Sequence, residues 1–118
     1  MGIIEWFLVS INTSTMPAIS RHLRDLAKTG HTCTSRVPVI ATQFTVFANG
    51  IPMNRLGDQL KPHTILLPCS DGLCCKMHGA KVFRGSSSVF AQGVPVARAG
   101  DRADKGSCTS TSNVFAGG

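Results

Sequence analysis

Charged and aromatic side chains are scarce in this chain. Of its 118 residues none is tyrosine, one is tryptophan, and charged residues make up 15%. Few aromatic rings leave little on which to stack the bases of a nucleic acid. Little charge beside plentiful Gly, Ser, Thr, Pro and Val leaves long amphipathic helices unsupported and favours an all-β or loop-rich chain. No apolar run approaches the ~18 residues of a membrane-spanning helix. The longest, Ile3 to Ser10, also lacks the basic residues of a signal peptide. Neither a C-x2-C nor an H-x3-H knuckle occurs, so the ligand spacing of a nucleic-acid-binding zinc ribbon or finger is missing. The net charge of +6 is spread between Arg21 and Lys105 without a basic run, the pattern of a solvated surface. Nucleic acid is therefore not an expected partner.

What is present is a single small domain with an unusual stock of soft ligands. At 12.5 kDa it is too short for a generous core, and a domain of this size needs a staple. Five cysteines and four histidines supply candidates. The odd cysteine count and the adjacency of Cys74 and Cys75 argue against a fully paired disulfide framework and for thiols held reduced, some of them as metal ligands. A second methionine, Met16, divides the chain into residues 1–15, an extension read either as a docking strand or as a product of start-codon choice, and a domain over residues 16–118.

The domain repeats itself. An offset of 43 residues superposes Val46–Asp58 on Val89–Asp101 with eight of thirteen positions identical. Asn113–Gly118 restarts the unit, and Pro17 to Arg21 followed by Asp25 is a degraded second half, so the chain is entered and left in mid-unit. Within each unit Val-Phe-Ala predicts a short strand, Gly50 or Gly93 a tight turn, and Ile51-Pro52 or Val94-Pro95 a return strand. Gly-Asp follows as a turn whose carboxylate caps nearby backbone N–H groups. Phe47, Phe90 and Phe115, each flanked by a valine, are expected to pack in the core or toward one end of the domain.

A soft donor follows each aspartate at a similar distance: His31 six residues after Asp25, His63 five after Asp58, Cys108 seven after Asp101. Three equivalent loops aim these at a common point, and a fourth ligand comes from Cys69, Cys74, Cys75 or His78. His22 has no partner at repeat spacing and reads as surface. The Cys and His residues sit where a shared metal wants them and supply no activated nucleophile, so catalysis is not expected.

Met16–Arg21, the two copies of Val-Phe-Ala-x-Gly-x-Pro-x-x-Arg-x-Gly-Asp, Cys75–Gly79 and Asn113–Gly118 together resemble a PAAR-repeat protein, with Pro95-Val96-Ala97-Arg98 and, more loosely, Pro52-Met53-Asn54-Arg55 as the motif. The resemblance spans Met16 to Gly118. It implies an all-β fold, a small cone of short strands with pseudo-threefold internal repeats. The cone's base would sit on a trimeric β-helical spike protein, one tip per trimer, and its apex would hold one structural zinc, iron being the second choice. Carried over by position, the ligands are His31, His63, His78 and Cys108. The stretch between His63 and His78 is longer than the family's usual one and rich in thiols, which leaves room for Cys69, Cys74 or Cys75 in place of His78. The resemblance further implies a structural tip at the distal end of a contractile phage tail, in transient contact with the target outer membrane. The same fold in a type VI secretion spike is the alternative.

Overall fold

The computed structural model describes residues 16–118 with the exception of Asp71, so the extension at residues 1–15 lies outside the described residues. The fold is all-β, with eleven short strands and no helix among the described residues. In chain order they are β1 (Leu26–Lys28), β2 (Arg36–Ile40), β3 (Phe47–Ala48), β4 (Ile51–Pro52), β5 (Gln59–Leu60), β6 (His63–Cys69), β7 (Gly72–His78), β8 (Phe90–Ala91), β9 (Val94–Pro95), β10 (Arg102–Ala103) and β11 (Gly106–Cys108). One sheet runs β10-β11-β1-β2-β5, and β3–β4, β6–β7 and β8–β9 form separate two-stranded ribbons.

The repeat units fold alike. Both β3–β4 and β8–β9 pair phenylalanine with proline, Phe47 with Pro52 and Phe90 with Pro95. Between the strands, Asn49-Gly50 and Gln92-Gly93 take positive φ at both residues, which matches a type I′ turn and the twist of a tight hairpin. A third unit is assembled from the two ends of the domain, where Ala18 bridges to Phe115 as Pro52 does to Phe47. The half-copies with which the repeat begins and ends thus complete one another.

Backbone hydrogen bonds tie the units into a closed ring. Ser20 N–H donates to the Ala97 carbonyl, Ala97 N–H to that of Asn54, and Asn54 N–H to that of Ser20, each at 2.9 Å. A second ring repeats the cycle: His22 to Pro52, Leu56 to Pro95, Ala99 to Ala18, each at 2.8 Å. Prolines at 52 and 95 serve here as acceptors only, the role left to a residue without an N–H. Each aspartate caps its own turn as expected, through N–H donation from Arg21 to Asp25 at 3.0 Å, Arg55 to Asp58 at 2.8 Å and Arg98 to Asp101 at 2.8 Å.

Two apolar clusters result. One gathers equivalent positions from the three units: Ile19, Met53 and Val96, with Ala48, Ala91 and Ala116, and Val46, Val89 and Val114 packed against them. Strand alternation turns the intervening phenylalanines outward. Phe47, Phe90 and Phe115 are 49%, 52% and 43% exposed, so of the two places expected for them the core is excluded and an outward position on the domain remains. The second cluster lies against the five-stranded sheet and comprises Ala27, Val37, Val39, Leu60, Val82, Ala97, Ala103 and Cys108.

Candidate metal centre

His31, His63 and His78 meet at Asp104, and one ligand atom from each of the four lies within 4.8 Å of the others. Each side chain is placed by a different constraint. His31 follows β1 after a turn in which its N–H donates to Thr29 Oγ1 at 3.1 Å. His63 and His78 are the first and last residues of the β6–β7 ribbon and direct cross-strand partners. Asp104 occupies the two-residue turn from β10 to β11 at φ 55°, a conformation that Asp tolerates better than most residues. That turn can lie so close to His31 because Gly106 has no side chain: a Cβ there would overlap the Lys28 carbonyl oxygen.

The carboxylate is shared. Asp104 Oδ1 lies 2.9 Å from His31 Nε2 and 3.3 Å from His78 Nε2, and Oδ2 lies 2.7 Å from His63 Nε2. Burial works to raise the Asp104 carboxyl, but hydrogen bonds from His31 and His63, the charge of His31 and the bond from His78 outweigh it and hold it below the ordinary carboxylate range. His63 fixes its own chemistry. A carbonyl can only accept, so Nδ1, 2.9 Å from the Lys61 carbonyl, carries a proton. Nε2 therefore meets the carboxylate either as a second N–H or as a lone pair with a cation between them. An orienting carbonyl behind a ligating imidazole is the usual outer support of a metal site. Three imidazole nitrogens and one carboxylate oxygen are a donor set that zinc accepts in four-coordinate sites, and the residues present fit such an ion.

The structure brings together three of the four expected ligands. Cys108 is not among them. It lies in β11 opposite Ala27, 2% exposed within the second apolar cluster. Burial first, with the charges of Asp101 and Asp58, pushes its thiol up to about 12. One position along β11 separates a core-facing side chain from an outward one, and Cys108 takes the core-facing place. Cys69, Cys74 and Cys75 are not free thiols either: Cys69 is bonded to Cys74 and Cys75 to Cys33. Four of the five cysteines are thus disulfide-bonded, which corrects the expectation of reduced thiols. His22 stands apart, accepting the Ala41 N–H at Nδ1 at 2.8 Å and meeting Phe44 edge-on.

Asp104, a hard oxygen donor, lies outside the pattern of soft donors that follows the repeat's aspartates. Its signal was the Asp104-Lys105-Gly106 turn between two short strands, a hairpin signature that places a carboxylate at the end of a loop. Comparison with known families bears on the whole arrangement. A family model described as the PAAR motif matches residues 29–110, more than half of the chain and all four residues of the cluster. No curated protein matches the chain.

Proposed function

Because the chain belongs to the PAAR-motif family, whose members serve as spike tips of contractile injection systems, we propose that it caps the trimeric central spike of a contractile phage tail, one chain per trimer. The observation that carries this reading is the closed ring of hydrogen bonds through Ser20, Asn54 and Ala97. A ring that closes after three related units supports the reading that one chain offers three comparable faces. Such an object meets a threefold partner equally well on each side. Phe47, Phe90 and Phe115 supply the contact, one exposed aromatic from each unit, and aromatic side chains are favoured anchors of protein interfaces.

The metal centre serves the same role. His31, His63, His78 and Asp104 would hold one structural zinc, with four protein donors and no position reserved for a reacting water. When bound, the ion ties the loop after β1, both ends of the β6–β7 ribbon and the β10–β11 turn to one point. Metal-binding free energy in so small a domain becomes folding free energy, which suits a tip that must stay folded while a contracting sheath drives it through an envelope. No catalytic step is assigned.

Native mass spectrometry of the chain assembled with its trimeric spike tests the reading. One chain per spike trimer is expected, and a three-to-three complex would overturn it. Genes for tail and baseplate proteins beside this one, as against secretion genes, separate the phage setting from a type VI spike.

A further inference from the structure

The four donors of the cluster sit on two parts of the fold. His31, in the loop after β1, and Asp104, in the turn from β10 to β11, belong to the five-stranded sheet. His63 and His78 belong to the β6–β7 ribbon, which pairs with no other strand among the described residues. A metal ion would draw both parts to one point, and one covalent bond already does so. Cys33, two residues after His31, is joined to Cys75, three residues before His78.

Other ties between this loop and the ribbon are weak. Thr29 closes the loop on itself, its N–H donating to the Ser35 carbonyl and its hydroxyl to that of Thr34. Among the described residues, the hydrogen bonds that cross to the ribbon are those of Thr34 with Thr64: Oγ1 to Oγ1 at 2.7 Å, and Thr64 N–H to Thr34 Oγ1 at 3.3 Å. Neutral bonds of this kind contribute only about 1 kcal/mol each. Cys69–Cys74 has a different place. It joins β6 to β7 at the far end of a ribbon already paired from His63–His78 to Cys69–Gly72, so it brings no donor to another part of the fold.

We propose that Cys33–Cys75 is a redox latch on the metal centre: closed, it holds His31 and Asp104 against His63 and His78 and the ion is retained, and reduced, it lets the ion go. A link between two parts raises the effective concentration of the donors on one at those on the other. The effect is reciprocal. Whatever factor the bond adds to metal affinity, bound metal adds to the resistance of the bond to reduction. Closing the latch joins two thiols as a disulfide, and two electrons and two protons pass to a disulfide oxidant such as oxidised glutathione, which leaves as two thiols. Such bonds are kept open in a reducing cytosol and persist outside it, so a tip made inside a cell and used beyond it would be locked on leaving. That timing rests on the function proposed above, whereas the latch itself does not.

The test takes the full chain with zinc, its free concentration fixed by a chelator buffer, across glutathione mixtures from reduced to oxidised. Bound zinc is read by native mass spectrometry and the thiols by alkylation. We expect zinc affinity about tenfold higher in the oxidised chain, within the usual range of coupling between sites. Zinc should in turn move the reduction midpoint of Cys33–Cys75 about 30 mV more negative, the equivalent of that factor for two electrons. Cys69→Ser with Cys74→Ser should keep the zinc response, and Cys33→Ser with Cys75→Ser should abolish it. Equal zinc affinity in the two states would overturn the proposal, as would tighter binding by the reduced chain, the result expected if freed thiols joined the site. A chain that holds no zinc in either state would overturn it too. The parent chain alone gives these outcomes, so they do not depend on a variant that folds, and none of them alters the count of chains on a spike.

Discussion

His63 and His78 face one another across the first rung of the β6–β7 ribbon, their ring centroids 5.2 Å apart and their Nε2 atoms turned to the same carboxylate. The ribbon therefore grows out of the histidine–aspartate cluster, and whatever stabilises one end of it organises the other.

The first prediction follows from the donor set. His31→Ala, His63→Ala, His78→Ala and Asp104→Asn should each lower bound metal well below the roughly one ion per chain expected of four protein ligands, together with the melting temperature. Cys108→Ala should retain the metal and lose only about 1 kcal/mol, the scale of a small cavity in a packed core. Metal analysis by mass spectrometry beside thermal melts separates the two classes. Full metal loss in Cys108→Ala with metal retained in Asp104→Asn would return the thiol to the site.

Reduction supplies the second. Cys33–Cys75 closes a separation of 42 residues, for which chain entropy predicts about 4 kcal/mol of stabilisation. Cys69–Cys74 spans five and should contribute less. Cys33→Ser with Cys75→Ser should consequently cost more in denaturant titration than Cys69→Ser with Cys74→Ser. Because Cys33 and Cys75 stand two and three residues from His31 and His78, the first pair should also weaken metal retention against a chelator. Equal costs for the two pairs would count against this ranking.

The reach of the sequence follows the same division between local and distant constraints. The repeat period was legible because each unit carries its own turn chemistry, and His31 and His63 because each follows a unit's aspartate, whereas His78 stood beside Cys69, Cys74 and Cys75 as one candidate of four. Cys69 and Cys74 are five residues apart at the end of one hairpin, so their proximity was also implicit. Cys33–Cys75 was not, since nothing local to either residue names its partner. The place of Cys108 rested on strand parity in a three-residue strand, where similar spacing from an aspartate cannot tell an inward side chain from an outward one. The outward turn of Phe47, Phe90 and Phe115 was available from alternation alone, with Val46 and Ala48 on the inner side of the first of them.

Backbone proximity gives a third prediction. In Gly106→Ala the new methyl group would collide with the Lys28 carbonyl, an atom that cannot move without parting β11 from β1. A cost of about 2–3 kcal/mol is expected for overpacking of this kind. The substitution should also displace Asp104 from the histidines, so stability and metal content should fall together. An unchanged melting curve would show that the two strands can separate at no cost.

The last prediction concerns acid. Asp25 is buried, which by itself would raise its carboxyl, yet hydrogen bonds from Arg21, the Thr111 N–H and Ser110, together with the charge of Arg21, hold it below its ordinary value. A group whose pKa is lower in the folded chain than in the unfolded one stabilises the fold above the unfolded value. That contribution disappears as pH falls through the folded one. Asp25 is charged at neutral pH and pairs with the Arg21 guanidinium through two contacts, Nε to Oδ2 at 2.6 Å and Nη2 to Oδ1 at 2.9 Å. Stability should accordingly hold steady from neutral pH down to the ordinary carboxylate range and decline below it. Asp25→Asn should lose on the order of 2 kcal/mol at neutral pH, the scale of a hydrogen bond to a charged group, and show a shallower decline in acid. Urea titrations from neutral pH down through the acid range would read both effects, and a variant whose acid slope matches that of the parent chain would remove Asp25 from the account.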